Sequence, residues 1–165
     1  MSGGYEIVLW SILIVASVTD LLWGKIYNHL TLTSVVAGVT IRFFGDGLPS
    51  VYDSLLGIAT AFILFFPLYY LKVLAAGDVK LLMAIGAWSH PALVLRIGLT
   101  AIVLGAIVGG YLLVRKNGGK AALTSMSKAI NFKPEHESKM TRMPFGPAFL
   151  CSLLILKIAE LKGWS

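Results

Sequence analysis

Apolar side chains gather in six runs along the chain, at Ile7 to Trp23, Leu30 to Phe44, Val51 to Leu71, Val79 to Trp88, Ala92 to Val114 and Phe145 to Leu161. Runs of this kind predict membrane helices. Crossing a hydrocarbon core of roughly 30 Å takes about 20 residues, so Leu30 to Phe44 and Val79 to Trp88 are short for the task. A short helix still crosses where it extends into flanking polar residues or where the bilayer thins around it. Six spans are expected, with five as the alternative.

Composition strengthens that reading. Of 165 residues, 57% are hydrophobic and only 13% charged, and the mean hydropathy is +0.82, well outside the range of a soluble domain. The expected fold is all-α, a polytopic membrane protein with about six transmembrane helices, forming a single membrane-embedded domain over residues 1–165. There is no internal repeat, low-complexity tract or soluble domain, and nothing indicates a nucleic-acid partner. The first run lacks a basic n-region and has Glu6 where positive charge would stand in a signal peptide, so it is expected to remain as a helix. The single cysteine, Cys151, excludes an internal disulfide and a CxxC zinc site; it reads as a small residue packed in the last helix.

Basic residues divide unequally between the two sides of a six-span arrangement. Lys25, Lys72, Lys80, Arg115, Lys116, Lys120, Lys128, Lys133, Lys139 and Arg142 fall on one side, Arg42, Arg96, Lys157 and Lys162 on the other. The richer side is expected to be cytoplasmic, with both termini facing outward. Topology alone accounts for the net charge of +6. Residues 116–143 form the longest polar segment, a basic cytoplasmic loop, within which Lys120 to Phe132 is expected to be helical and to lie along the membrane surface.

Helix parity places two acids on that same side. Asp20 closes the first span, and Asp78 opens the fourth within Ala75-Ala76-Gly77-Asp78-Val79-Lys80. The Pro144-Phe145-Gly146-Pro147 turn that starts the last span also lies there. Charges near a bilayer are costly and therefore call for a reason. Two carboxylates a few ångströms apart resist double ionisation, so one can keep a proton while the other serves as a base. Such a pair can activate water and polarise a carbonyl, and it titrates as a unit, so neither acid is assigned a separate role. Asp78, next to a helix start, also reads as an N-cap, and Gly77 as the provider of a tight turn.

The wording around both acids extends the argument. Thr19-Asp20-Leu21-Leu22-Trp23-Gly24-Lys25-Ile26-Tyr27-Asn28-His29-Leu30, then AAGDVKLLMAIGAW, then MPFGPAF, resembles the type IV prepilin peptidases, membrane aspartic proteases of the GxGD type, and most of all their small branch serving Flp (tight adherence) pili. The resemblance covers nearly the whole chain. It implies Asp20 and Asp78 as catalytic residues, with Gly77, Lys80, Lys25 and Asn28 as supporting motif positions. It further implies an endopeptidase that removes the basic leader of prepilin and pseudopilin precursors at the cytoplasmic face of a bacterial inner membrane, with other pilus assembly proteins as further candidate partners.

This chain departs from the motif at one glycine, reading AxGD because Ala75 stands first. An alanine there would cost on the order of 1 kcal/mol if the backbone needed positive φ. No CxxC-bearing cytoplasmic domain like that of larger members is expected, no motif for S-adenosylmethionine is found, and no cofactor is expected. His29, His90 and His136 are scattered without ligand spacing, and no metal is expected. Lys80 reads foremost as a topology anchor, and Lys25 and Asn28 as substrate contacts or as shapers of the first turn. Gly105 and Gly109 form a GxxxG read as intramolecular packing, Pro67 marks a kink, and Trp10, Trp23, Trp88 and Trp164 read as interfacial rings. A proton- or cation-coupled transporter and a non-catalytic pilus assembly subunit are the rival functions.

Overall fold

A computed structural model describes residues 3–71, 73–130 and 145–163, which form helices joined by short connections, with no strand among them. Lys72, Trp164 and residues 131–144, including His136, Pro144 and the second half of the basic loop, lie outside the described residues. The helices are α1 (Gly3–Trp23), α2 (Asn28–Asp46), α3 (Leu48–Tyr70), α4 (Ala76–Trp88), α5 (Pro91–Ile130) and α6 (Gly146–Leu161). The expected all-α membrane fold is thus found. By length and apolarity alone, α1, α3 and the Pro91–Gly109 part of α5 suffice to cross a bilayer.

The short fourth helix has a physical explanation in its surroundings. At 13 residues, α4 is about 20 Å long, less than a hydrocarbon core. It sits at the centre of the bundle, packed by α1, α2, α3 and α5, and Leu81, Leu82, Ala84, Ile85 and Ala87 are fully buried. A helix enclosed by other helices has no lipid-facing backbone to shield, so its length need not match the bilayer. Around it, α6 packs between α1 and α5. Large apolar side chains such as Ile63, Phe44 and Leu161 point outward on the remaining surfaces, as expected where the surroundings are lipid.

Small residues set how closely the helices approach. A Cβ on Gly57 of α3 would stand 2.6 Å from the Gly86 carbonyl oxygen of α4, and one on Gly86 would stand 2.5 Å from the Gly57 carbonyl carbon. The two backbones therefore touch, and no side chain fits between them. Gly38 of α2 meets Ala87 in the same manner, and Gly98 of α5 receives the Phe65 ring. Because lipid tails are as apolar as leucine, close van der Waals contact of this kind is what holds membrane helices together.

At the end of the bundle where α2 stops and α3 starts, polar groups add a clamp. Arg42 is only 7% exposed, and its guanidinium donates to Ser50 Oγ (2.6 Å), to Ser54 Oγ (3.1 Å) and to the Ser89 carbonyl, joining α2, α3 and the end of α4. It also lies 5.7 Å from the ring centroid of Tyr5, whose hydroxyl donates to Asp46. A buried charge is tolerable only when its donors are satisfied. Here hydroxyls and a carbonyl do so.

Several expectations are corrected. No break separates the fifth span from the Lys120 helix, because α5 continues to Ile130. Trp88 is a core residue rather than an interfacial ring: it is buried, and its indole N–H donates to Ser34 O (2.9 Å) and Ser34 Oγ (3.1 Å). Cys151 is exposed instead of packed. The GxxxG glycine Gly105 does serve intramolecular packing, since a Cβ there would come within 2.3 Å of the Phe145 ring at the entry to α6.

The touching backbones predict a graded response to alanine. Gly57→Ala and Gly86→Ala should each destabilise the detergent-solubilised protein by about 1–3 kcal/mol, the usual cost of overpacking. Gly4→Ala, where a Cβ would meet nothing within 4 Å, should leave the melting temperature unchanged.

Candidate active site

Asp20 and Asp78 reach one end of the bundle from opposite chain directions. Asp20 lies in the last turn of α1 and Asp78 in the first turn of α4. They are 8% and 3% exposed, and the helices that carry them, α1 and α4, pack against each other. The expected meeting of the end of the first span with the start of the fourth is what the structure contains.

Each carboxylate is held by one backbone N–H. On Asp20, Oδ2 accepts from Gly146 N at 2.8 Å, and Ser17 Oγ donates to the Gly146 carbonyl at 2.9 Å. Ser17 and Asp20 are three residues apart and therefore share a helix face. Together they grip the first residue of α6 by both of its backbone polar groups. A side chain at Gly146 would leave no room for this, since its Cβ would fall 3.0 Å from Asp20 Cβ and 3.1 Å from Ser17 Cα.

The other acid is fixed within its own helix. Asp78 is the third residue of α4 rather than its N-cap, a correction to the sequence reading. Its Oδ2 accepts from Ala75 N, the N-cap residue, at 2.9 Å. This is one half of a capping box; alanine has no side-chain acceptor to supply the other half, and Asp78 N donates to the Ala75 carbonyl instead. Ala75 itself has φ −82° and ψ 157°, extended backbone open to any residue. The substitution of the motif's first glycine by alanine therefore carries no backbone strain.

Gly77 acts by size and not as a turn. It is helical and without positive φ, but a Cβ on it would stand 3.2 Å from Ile26 Cβ. That contact seats the α1–α2 connection against the start of α4. The glycine that does need its conformational freedom is Gly24, at φ +60°, whose N–H bonds the Asp20 carbonyl at 2.8 Å and ends α1 one residue beyond Trp23.

The remaining motif residues divide. Lys80 Nζ donates to Asn28 Oδ1 at 2.9 Å, so an exposed bridge ties α4 to the start of α2. Lys80 is therefore more than a topology anchor. Lys25 is exposed on the α1–α2 connection and takes part in no ion pair among the described residues. Among those residues no group of three or more His, Cys, Asp or Glu could hold a metal ion. Ser17 and Ile26 escaped the sequence reading. The available signal for Ser17 was a hydroxyl one turn before an acid in an apolar run, whereas Ile26 had none.

In chemical terms, two buried carboxylates lie at the same end of the bundle, each with Oδ2 anchored by the backbone. The second oxygen of each accepts no hydrogen bond among the described residues. The grip on α6 predicts unequal effects of two substitutions. Ser17→Ala removes one hydrogen bond and should cost about 1 kcal/mol in thermal unfolding. Gly146→Ala should cost more than Ser17→Ala in the same measurement, because it drives a methyl group into Asp20.

Comparison with known proteins agrees with this geometry. Residues 7–110 match the family model described as the type IV leader peptidase family. The match runs from α1 into α5 and takes in both aspartates, the Ala75 to Lys80 motif and Asn28. No curated protein and no solved structure matches the chain. With well over half of its length matched, the chain belongs to the type IV leader peptidase family.

Proposed function

We propose that this protein is an aspartic endopeptidase that removes the basic leader of Flp-type prepilins at the cytoplasmic face of the bacterial inner membrane, with Asp20 and Asp78 as its catalytic pair. Membership of a leader peptidase family supports the protease activity. The observation that carries the aspartic assignment is the convergence of the two buried acids at one end of the bundle. Their position at a helix-end boundary suits a precursor whose apolar helix lies in the bilayer and whose leader emerges beside it.

The chemistry proceeds by general acid–base catalysis. The pair holds one proton. Its ionised carboxylate removes a proton from a water molecule as the water oxygen attacks the scissile carbonyl carbon, while the protonated member gives its proton to the carbonyl oxygen. The resulting gem-diol collapses: the C–N bond breaks, a proton passes from the pair to the departing amine, and a hydroxyl proton returns to the pair. Two acids that share one proton meet every step. The backbone N–H groups of Gly146 and Ala75 keep the carboxylates from rotating away.

Orientation follows the distribution of basic residues. Lys25 and Lys80 lie at the aspartate end among the described residues, and the greater share of the chain's lysines and arginines is assigned to that side. The Lys80 to Asn28 bridge braces the rim of the site. Lys25 is left for contact with substrate or with anionic headgroups.

Processing of a co-expressed Flp-type prepilin, read as a gel shift in membranes, tests the assignment. Asp20→Asn and Asp78→Asn should each slow cleavage by at least about a hundredfold, the scale of a general acid or base, while both proteins insert and fold. Equal cleavage by all three proteins would favour a non-catalytic assembly subunit, and no cleavage by a folded wild type would favour a transporter. Ala75→Gly should stay within about twofold of wild type, since the backbone at that position is extended. Ser17→Ala should lower kcat by about tenfold with KM unchanged, because loss of about 1.4 kcal/mol of positioning is a factor of ten.

A further inference from the structure

At the end of the bundle opposite the aspartates, a cleft of about 230 Å³ opens between the start of α1, the start of α5 and the end of α6. Its floor is apolar, formed by Leu9, Leu93 and Leu153. Its walls carry Glu6, Arg96, Lys157 and Glu160, with the half-buried Trp10 at their side. Both signs of charge thus face one cavity.

The charges in it are not all paired. Lys157 donates to Glu6 at 2.6 Å and to Glu160 at 3.0 Å, which engages its ammonium on two sides. Arg96 takes part in no ion pair among the described residues. Glu160 is 47% exposed at its side chain and offers Lys157 only one oxygen, leaving the other open. The cleft accordingly presents a free planar cation and a free carboxylate oxygen.

Depth and direction identify what would meet them. Arg96 lies five residues into α5 and Glu160 one residue from the end of α6, so the polar walls extend from the helix ends to about 7 Å inward. That is the headgroup and glycerol layer of a bilayer, where tryptophan rings also reside. Below Arg96, on the same face of α5, the exposed Leu99, Val103 and Ile107 continue toward the membrane interior. A polar head at Arg96 would send its acyl chain along this stripe.

We propose that the cleft binds the headgroup of an aminophospholipid of phosphoethanolamine chemistry, with its phosphate on the Arg96 guanidinium, its ammonium on Glu160 and its acyl chain along Leu99, Val103 and Ile107. Arginine matches a phosphate with two parallel N–H donors. A primary ammonium has N–H donors for the open carboxylate oxygen, whereas choline has none. A phosphoglycerol head or a free phosphate would bring only negative charge toward Glu6 and Glu160.

The test uses the full chain, purified in detergent and stripped of lipid. Phosphatidylethanolamine, phosphatidylcholine and phosphatidylglycerol with identical acyl chains are titrated in mixed micelles and read by native mass spectrometry and thermal melting. Phosphatidylethanolamine should bind about tenfold tighter than the other two, the scale of one charge-assisted hydrogen bond. Arg96→Gln should weaken all three, and Glu160→Gln should erase only the preference for ethanolamine over choline. Equal binding of the three lipids by wild type, or an unchanged preference in Glu160→Gln, would overturn the proposal. So would stabilisation by inorganic phosphate alone to the same extent, which would mark a simple anion site. The comparison among lipids needs only wild-type protein and stands even where a variant fails to fold.

Discussion

The backbone contact between Gly57 and Gly86 is the constraint on which the other arrangements rest. With no side chain at either position, α3 and α4 approach until main-chain atoms touch. Dispersion between well-packed surfaces is then available to a helix that gains nothing from leaving one apolar environment for another. Held this way and enclosed by its neighbours, the 13-residue α4 can remain short. Its first turn stops inside the bundle's end. Asp78 stands in that turn and takes its position from the packing beneath it.

Polar groups then occupy the two ends of the bundle in different ways. At one end, Arg42 is satisfied by serine hydroxyls and the Ser89 carbonyl, which locks α2, α3 and α4 together with no ion pair to the guanidinium among the described residues. At the other, Asp20 and Asp78 each receive a single backbone N–H. The first arrangement uses its donors for cohesion. The second leaves acceptor capacity unspent, and an acid with a free oxygen in a mostly dry site is one that can work on a substrate.

The hold on Asp20 comes from far along the chain. Gly146 opens α6, 126 residues from Asp20 in sequence, and Ser17 fixes its carbonyl while Asp20 takes its N–H. A glycine is needed because α1 passes too near for a Cβ. The same economy of space recurs at Gly77 against Ile26 and at Gly105 against Phe145. In each case a glycine lets an element that carries or flanks the aspartates come close.

Amino-acid order by itself determined the apolar runs, and with them the helical membrane fold, because periodless hydrophobic stretches in a chain of this composition have few other stable arrangements. It also determined that Asp20, Asp78 and the turn into α6 share one end, since each helix reverses the direction of the chain. Positions within that frame were settled by the folded structure, through local backbone geometry at Ala75 and Asp78 and through tertiary contact elsewhere. Asp78 reads locally as a cap, yet two helical residues precede it, and its side chain accepts from the N-cap residue Ala75. Lys80 reads as an anchor, yet Asn28, 52 residues away, meets its ammonium. Ala75 reads as a strained departure, yet its backbone is extended. Trp88 reads as an interfacial ring, yet Ser34 draws it into the core. A local pattern reports what a residue can do, whereas the surfaces that fold against it decide which of those capacities is used.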